Sequence, residues 1–361
     1  MRATSGLAGL VLICFALACS PSAEIRHDFP NEGAPWEIAN PVIPLPTPPV
    51  GIPARFSPLR VTAEKVRLGR WLFYDARLSG DETVSCATCH RPKNAFSELT
   101  PRSTGIGGRK GTRKAPSLVN VAFLPFDKYF WDGRASSLSE QAKSPIVNPV
   151  EMGSTLEGTV RRLAHIPGYR RAFREVYGDG RVEIDRVTDA LAAYEATRLS
   201  GDSAYDRFEA GDDDALSPQA LLGREIFFGR GRCNACHLGP AFTDARFHNI
   251  GIGYRAGESF VRTGFLDPGR YAVTHLPVDI GAFKTPTLRD VERHPPYMHD
   301  GSSRDLYDAV LRYVDLVENP WLDPAMREVN ISVADVPALV AFLESLNGTG
   351  YEDVAPSRFP E

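Results

Sequence analysis

Two copies of the pattern Cys-x-x-Cys-His constrain this chain more than any other feature of its sequence. The first copy spans residues 86–90 and reads CATCH, and the second spans residues 233–237 and reads CNACH. Two thiols at this spacing add to the two vinyl groups of one haem, and the adjacent His reaches the iron as an axial ligand. A redox-active CxxC pair makes no use of the His, and a zinc site needs both ligand pairs in one cluster, whereas these pairs lie far apart. We therefore predict two covalently bound haem c groups, attached through Cys86, Cys89, Cys233 and Cys236 and ligated by His90 and His237.

The first residues have the pattern of an export signal. Arg2 supplies a positive charge, residues 7–17 form a short apolar stretch, and Ala16-Leu17-Ala18 is a small-residue cleavage signal before Cys19. The apolar stretch is too short to cross a hydrocarbon core of ~30 Å as a permanent helix. We predict a signal peptide over residues 1–18 and a periplasmic protein, which is either soluble or anchored by a lipid on Cys19.

The remaining composition narrows the partners of the chain. Of the 6 cysteines, Cys14 and Cys19 lie in the signal region and the others belong to the two motifs, which leaves none for a disulfide. A formal net charge of -4 gives no basic excess that could neutralise phosphates, so we expect no nucleic-acid partner. The 31 Gly and 29 Pro residues predict long, structured loops.

Helical patterns precede both motifs in a similar way. Residues 63–72 and 217–228 show apolar residues at helical spacing, the second with Ser217 as N-cap and Pro218 in the first turn. The stretch LGRWLFYDARLS before the first motif resembles LGREIFFGRGR before the second, which indicates an internal duplication. Further helices are predicted over residues 157–163, 187–197, 306–317 and 333–346.

These patterns predict an all-α protein made of two cytochrome c-like haem domains with long loops. A proline-rich extended segment over residues 24–60 precedes an N-terminal domain of residues 61–210. The C-terminal domain then covers residues 211–347, and residues 348–361 form a tail. The boundary is expected near residues 200–216, where the acidic run of residues 211–214 has the composition of a solvated linker.

Several longer motifs together resemble one protein family. They are KAPSLVNVAF at residues 114–123, FWDGRA at 130–135, KTPTLRDV at 284–291 and PPYMHDGS at 295–302. With the two haem motifs, they resemble the bacterial di-haem cytochrome c peroxidase and MauG family over nearly the whole chain after the signal. The resemblance implies an oxidoreductase in which hydrogen peroxide reacts at the N-terminal haem.

The resemblance also implies roles for four residues near that haem. Trp131 matches the tryptophan that the family places between the two haems, where it relays electrons. Glu151 matches the acid–base carboxylate above the N-terminal haem, which can move a proton from one peroxide oxygen to the other. Gln141 and Pro145 match the neighbouring positions of the same pocket.

Two further positions resemble one branch of the family more than the other. Tyr313, on the predicted helix 306–317, stands where conventional di-haem peroxidases have a Met ligand and MauG has a Tyr ligand. A phenolate favours ferric and higher oxidation states, whereas a thioether raises the reduction potential. Met298 is the rival ligand. The loop of residues 105–108 offers Ile106 where conventional members have a blocking His, which implies an iron open to peroxide without prior reduction.

A calcium ion is a doubtful part of the cofactor set. The family holds calcium between its domains through an Asn side chain and backbone carbonyls. Lys114 stands at the Asn position, and an ammonium group cannot coordinate calcium, although the carbonyls of His294 and Pro296 could still contribute. The histidines that match no ligand position, expected to be structural or at the surface, are His27, His165, His248 and His275, and His299 is expected to pack beside the second haem.

Three functions agree with these features. The first, favoured by Tyr313 and Ile106, is a MauG-like enzyme that uses hydrogen peroxide, through a high-valent di-haem state, to oxidise a Trp or Tyr residue of a partner protein. The second is a di-haem peroxidase that reduces peroxide with electrons from a small cytochrome c or a cupredoxin. The third is an electron-transfer cytochrome without catalysis, which predicts two six-coordinate haems and no reaction with peroxide.

Overall fold

The part of the chain that the computed structural model describes comprises residues 33–53, 60–125, 127–257 and 264–361. The predicted export signal, with Cys14 and Cys19, and His27 after it lie outside these described residues. Within the described ranges, no helix has the length and apolar character needed to cross a membrane.

Helices dominate the described chain, and its strands form one short antiparallel pair. The strands β1 (Phe247–His248) and β2 (Phe283–Lys284) pair Phe247 with Lys284 and His248 with Phe283. A mainly helical fold is therefore confirmed. The α-helices are α1 (Pro35–Ile38), α2 (Ala63–Tyr74), α3 (Cys86–Cys89), α4 (Leu138–Val147), α5 (Leu156–His165), α6 (Pro167–Tyr177), α7 (Ile184–Glu195), α8 (Ala204–Glu209), α9 (Pro218–Phe228), α10 (Tyr271–Thr274), α11 (Leu306–Leu311) and α12 (Val336–Glu344).

Capping side chains explain where the helices before the two haem motifs begin. The side chain of Thr62 accepts a hydrogen bond from the backbone N–H of Lys65 at the start of α2. Ser217 does the same for Ala220 at the start of α9, where Pro218 occupies the first turn. A capped N–H and a proline that needs no donor both favour a helix start, so the predicted starts of these two helices are confirmed.

Two helix pairs lie at the centre of the fold, and each pair crosses at a glycine. α2 packs so closely on α7 that a Cβ added at Gly69 would overlap with the carbonyl oxygen of Ala190. α9 packs on α12 in the same way, because a Cβ at Gly223 would overlap with the carbonyl oxygen of Ala338. The two crossings are equivalent in chain order, which supports the internal duplication.

The repetition continues in the loops after each haem motif. Ser97 Oγ donates to the carbonyl of Ala115 at 2.7 Å, and Thr243 Oγ1 donates to the carbonyl of Thr285 at the same distance. Further along the chain, each copy contains one isolated antiparallel bridge at the equivalent place. The bridge joins Tyr129 to Ala135 in the first copy and Tyr297 to Ser303 in the second.

The segment around the predicted domain boundary is partly packed. The acidic run of residues 211–214 is exposed, as a solvated linker would be. The residues before it form α8, whose Asp206 accepts hydrogen bonds of 2.6 and 2.8 Å from the guanidinium of Arg289, and both side chains are buried. Breaking a buried ion pair leaves an unpaired charge, so this contact ties the segment to the loop after the second motif. The division into residues 61–210 and 211–347 stays a prediction.

The C-terminal tail packs back onto the helices of the first copy. Asp353 accepts hydrogen bonds from Arg70 Nε at 3.0 Å and from the hydroxyl of Tyr194 at 2.6 Å. Tyr351 is buried as well. The tail therefore contributes to the same compact unit, which runs from Pro35 to Glu361.

One predicted helix ends early. α11 ends at Leu311, whereas the sequence pattern predicted a helix over residues 306–317. The backbone N–H of Tyr313 bonds to the carbonyl of Val310, three residues back, at 3.0 Å. This tighter bonding turns the chain away from the helix axis, so Tyr313 lies in the turn that follows α11.

Replacing Gly69 by Ala tests the helix crossing. We expect the free energy of unfolding of the haem-loaded protein to fall by roughly 1–3 kcal/mol, because the added methyl group forces α2 away from α7. Chemical denaturation monitored by circular dichroism measures the change. Gly111→Ala is the control, since the nearest atom to its added Cβ would be 3.8 Å away. Equal losses in the two variants would contradict a close crossing at Gly69.

Candidate active site

One large cavity brings the two haem motifs together. Its volume is about 860 Å³, and residues of both motifs contribute to its wall. The candidates from the sequence lie in well-separated stretches of the chain, and the fold places all of them around this one space. The candidate residues that line it are Cys86, Cys89, His90, Trp131, Gln141, Pro145, Glu151, Cys233, Cys236, His237 and Tyr313.

A backbone carbonyl orients each motif histidine. His90 Nδ1 lies 2.9 Å from the carbonyl oxygen of Phe96, and His237 Nδ1 lies 3.1 Å from that of Phe242. A hydrogen bond at Nδ1 leaves Nε2 as the nitrogen that can bind a metal. Burial lowers the pKa of both imidazoles, that of His237 to about 4, so both rings are neutral at pH 7, as a metal ligand must be.

The motif cysteines and several unpartnered polar groups show that this cavity fits haem c. The four motif cysteines form no disulfide, so their thiols are available for thioether bonds. Both ring nitrogens of the buried His294 lack a hydrogen-bond partner. The ammonium of Lys284 lies 5.9 Å from the ring centroid of Tyr129 and pairs with no carboxylate of the described chain. A largely apolar macrocycle with two propionate carboxylates suits such a wall.

Glu151 lies in the wall near the first motif and is held by a neighbouring amide. Asn148 Nδ2 donates to Glu151 Oε1 at 2.7 Å, and the backbone N–H of Glu151 donates to the carbonyl of Asn148 at 3.0 Å. Burial raises the pKa of Glu151, although the hydrogen bond from Asn148 opposes the shift. A carboxyl with a raised pKa exchanges its proton more readily near neutral pH. The sequence analysis missed Asn148, because nothing in the pattern NPVEM shows that its side chain turns back to Glu151.

The loop of residues 105–108 supports Glu151 and offers no ligand atom from its side chains. The backbone N–H of Ile106 donates to the carbonyl of Glu151 at 2.8 Å. The side chain of Ile106 packs against Gly153, where an added Cβ would overlap with it. Gly105 is the member of this loop that lines the cavity.

Trp131 and His299 meet at the centre of the cavity wall. Their ring centroids are 6.4 Å apart in an edge-to-face arrangement, and Trp131 Nε1 donates to the carbonyl of Lys114 at 2.8 Å. The two residues stand at equivalent positions of FWDGRA and MHDGS. Each accepts a backbone hydrogen bond from a lysine of the other copy, Trp131 from Lys284 at 2.8 Å and His299 from Lys114 at 2.9 Å. Trp131 thus lies where the two copies join.

Lys114 is buried beside this junction. Its ammonium donates to the backbone carbonyl of Glu98, and burial lowers its pKa to about 8. The position that the family uses for a calcium-binding Asn therefore carries a cationic donor. Calcium binding stays a prediction.

Tyr313 and Pro145 occupy the same position in the two copies. Both follow at the same interval after the first residues of their helices, Leu138 in α4 and Leu306 in α11, and both line the cavity. Burial raises the pKa of the Tyr313 phenol. A proline has no atom that can ligate iron, whereas a tyrosine has its phenol oxygen. Met298, the rival ligand, also lines the cavity.

His248 has a structural contact beside the second motif. Its Nδ1 lies 2.6 Å from Asp323 Oδ2, and its Nε2 lies 2.9 Å from Asp244 Oδ2. Although burial opposes a charged ring, the hydrogen bonds with Asp244 and Asp323 raise the pKa of His248, and the sulfur of Cys236 raises it further while it is not bound to haem. Cys236, Asp244 and His248 are close enough together to hold a metal ion. Both imidazole nitrogens are already bonded and Cys236 belongs to a haem motif, so we assign this cluster no metal.

Comparison with known proteins identifies the family. The profile described as di-haem cytochrome c peroxidase matches residues 63–214. The chain is 39% identical over 288 residues to the methylamine utilization protein MauG of Methylorubrum extorquens, with 79% of each chain covered. It is 37% identical over 302 residues to the cytochrome c551 peroxidase of Pseudomonas aeruginosa, covering 82% of this chain and 83% of that one. A solved MauG-like protein associated with microbial copper homeostasis aligns with a TM-score of 0.70 and 28% identity, covering 86% of this chain and 95% of that one.

The fold and the site thus define a peroxidase-type oxidoreductase with covalently bound haem. The chain belongs to the di-haem cytochrome c peroxidase and MauG family. Membership implies haem c cofactors, hydrogen peroxide as oxidant and a protein partner that serves as substrate or as electron donor.

The ion pairs of His248 predict a pH-dependent stability. Because its pKa in the folded protein lies above the ordinary value of 6.5, the stabilisation is complete below about pH 6.5 and is lost as the pH rises through the raised pKa of the folded protein. We expect Asp323→Asn to lower the free energy of unfolding by roughly 1–3 kcal/mol at pH 6 and by progressively less at higher pH. Urea denaturation at a series of pH values measures this. Asp212→Asn, in the exposed acidic run, is the control, and a loss in D323N that does not change with pH would contradict the charged pair.

Proposed function

We propose that this protein is a periplasmic di-haem enzyme that uses hydrogen peroxide to oxidise a Trp or Tyr residue of a partner protein. The observation that carries this proposal is the pairing of Pro145 in the first copy with Tyr313 in the second. It supports one iron position that is open to peroxide and one that is closed by a phenol oxygen. When bound, the haem c groups supply the iron that reacts with peroxide at the first motif and the iron that stores oxidising equivalents at the second.

Glu151 moves the proton that cleavage of peroxide requires. One peroxide oxygen must lose a proton and the other must gain it before the O–O bond breaks into water and a second oxygen. Asn148 holds Oε1 of Glu151 at 2.7 Å, and the residue lines the cavity. Gln141 and Pro145 complete this part of the wall, and Pro145 offers no ligand that would compete with peroxide.

Trp131 carries electrons between the two motifs. It lies at the junction of the copies, with its carbonyl and its indole N–H both held by backbone hydrogen bonds. An indole fixed in this way changes its geometry little when it loses or gains an electron. The partner protein then gives up electrons without approaching the peroxide pocket.

A second candidate function is the reduction of peroxide with electrons from a small cytochrome c or a cupredoxin. The 37% identity to cytochrome c551 peroxidase supports it, and it needs the same roles for Glu151 and Trp131. The two functions differ in the state that reacts. A conventional peroxidase needs one haem reduced before peroxide can react, whereas Ile106 in place of a blocking His supports reaction in the fully oxidised protein.

Adding one equivalent of peroxide to the diferric protein separates the candidate functions. We expect a long-lived form that has lost two electrons, visible by optical and electron paramagnetic resonance spectroscopy. Reaction only after one haem has been reduced would support the conventional peroxidase instead. No high-spin component and no reaction at all would support an electron carrier.

Replacing Glu151 by Gln tests its role in the same reaction. We expect the rate of the peroxide reaction to fall by roughly 10²–10⁴-fold, because the amide cannot take and return the proton. Stopped-flow spectroscopy of the diferric protein measures the rate. Glu157→Gln, an exposed position at the start of α5, is the control, and an unchanged rate in E151Q would remove Glu151 from the mechanism.

Replacing Tyr313 by Met tests the second ligand. We expect the reduction potential of the second haem to rise, because a thioether stabilises ferrous iron and a phenolate stabilises ferric iron. Spectroelectrochemical titration measures the potential. Tyr307→Met, an exposed position on α11, is the control, and an unchanged potential in Y313M would exclude Tyr313 as the ligand.

A further inference from the structure

Glu195, the last residue of α7, is a second carboxyl in the wall of the cavity. Its side chain is 5% exposed, and its Oε2 atom has no hydrogen-bond partner. A buried carboxyl without a partner is costly, because its desolvation is not repaid by a hydrogen bond. The family resemblance gave this residue no role.

The internal duplication shows that the fold does not require a carboxyl at this place. Tyr194 in α7 and Phe342 in α12 are equivalent, because each packs against the crossing glycine of its copy. The next residue is Glu195 in the first copy and Leu343 in the second, and both line the cavity. A leucine thus satisfies the packing of this position, and the carboxyl belongs only to the copy with the open pocket.

The surroundings of Glu195 keep its proton in place at neutral pH. Burial alone raises its pKa to about 8, since no cation lies close enough to oppose the shift. A negative charge on Glu195 would raise the pKa of two neighbouring groups, the thiol of Cys86 in α3 and the hydroxyl of Tyr129. Several charged side chains of the packing helices form ion pairs or hydrogen bonds with other groups. They are Lys65 with Asp189, Arg67 with Glu175, Arg70 with Asp353, Glu140 with Ser136, Lys143 with Asp185, and Arg162 with the carbonyls of residues 77–79.

The peroxide reaction needs more protons than Glu151 can account for. Reduction of peroxide follows H2O2 + 2 e⁻ + 2 H⁺ → 2 H2O. Glu151 takes a proton from one peroxide oxygen and returns it to the other, so this step leaves the number of protons unchanged. The two electrons that arrive later must be joined by two protons, which convert the second oxygen atom into water.

We infer that Glu195 is a second proton donor of the peroxide pocket, acting when electrons return to the first haem. The Oε2–H bond breaks, the proton joins the second oxygen atom of peroxide directly or through water, and the carboxylate is protonated again from solvent. The second proton comes from solvent by the same path. This inference rests on the reaction of peroxide in the first pocket, which both candidate functions share.

The two halves of the reaction can be measured separately. Stopped-flow mixing of the diferric protein with peroxide gives the oxidative half. Mixing the oxidised product with ferrocyanide, which donates electrons and no protons, gives the reductive half. We expect Glu195→Gln to keep the oxidative rate within about twofold and to slow the reductive half by roughly 10²-fold, the lower end of general-acid effects. Glu195→Asp should restore part of the rate, and E151Q should show the opposite pattern.

Two controls separate proton donation from packing. Glu195→Leu introduces the residue that stands at the equivalent position of the second copy, Leu343. This variant should therefore fold, and it should slow the reductive half as E195Q does. In the wild-type protein the reductive rate should fall above about pH 8, and this dependence should vanish in E195Q. The infrared spectrum of the resting ferric protein gives a readout without turnover, in which a carboxylate band should grow in near pH 8 in the wild type and be absent in E195Q.

The outcomes distinguish this inference from the proposed function. If the wild-type protein does not react with peroxide, the function itself fails and the inference falls with it. If the wild type reacts and E195Q retains both rates, only the inference is overturned. If E195Q slows both halves of the reaction equally, and if its rates differ from those of Glu195→Leu, then Glu195 is a packing residue. This result would also overturn the inference.

Discussion

The close crossing of two helices at a glycine is the contact on which the rest of this structure depends. α2 leads into the first haem motif, and α7 ends at Glu195 in the wall of the cavity, so the contact at Gly69 sets the distance between motif and wall. Gly223 sets the same distance between α9 and α12 in the second copy. Packed interiors tolerate little overlap, so a larger residue at either glycine would displace one side of a cavity from the other.

The chemistry of the site arises where the two copies differ. Trp131 and His299 stand at equivalent positions and meet where the copies join. Pro145 and Tyr313 are also equivalent, yet only the tyrosine can supply an oxygen ligand. A duplicated fold thus places two motifs in similar surroundings, and substitutions in the walls give the two sites different reactivity. The backbone differs at this position as well, because Pro145 lies within α4 whereas Tyr313 lies in the turn after α11.

Features that depend on local sequence were predictable, and features that depend on distant contacts were not. The haem motifs have a covalent spacing rule, and the cap at Ser217 acts within one helical turn, so sequence alone locates them. α6 was missed although Pro167 at its start and Gly178 at its end are recognisable signals. Asn148, Lys284 and Glu195 gained their significance only when the fold showed what their side chains meet. The early end of α11 was not predicted either, because the apolar periodicity of the sequence continues past Leu311 whereas the helical backbone ends there.

The first pocket must manage protons as well as electrons. In the proposed function, electrons cross several ångströms through Trp131, whereas a proton moves only between groups within hydrogen-bond reach. A reaction that consumes protons in this cavity therefore needs acids in its wall, and burial raises the pKa of both Glu151 and Glu195. The same burial that makes a carboxyl costly for stability makes it able to hold a proton at neutral pH. At the second motif Leu343 stands in place of the acid, which agrees with the proposal that Tyr313 closes this site and that no proton needs to arrive there.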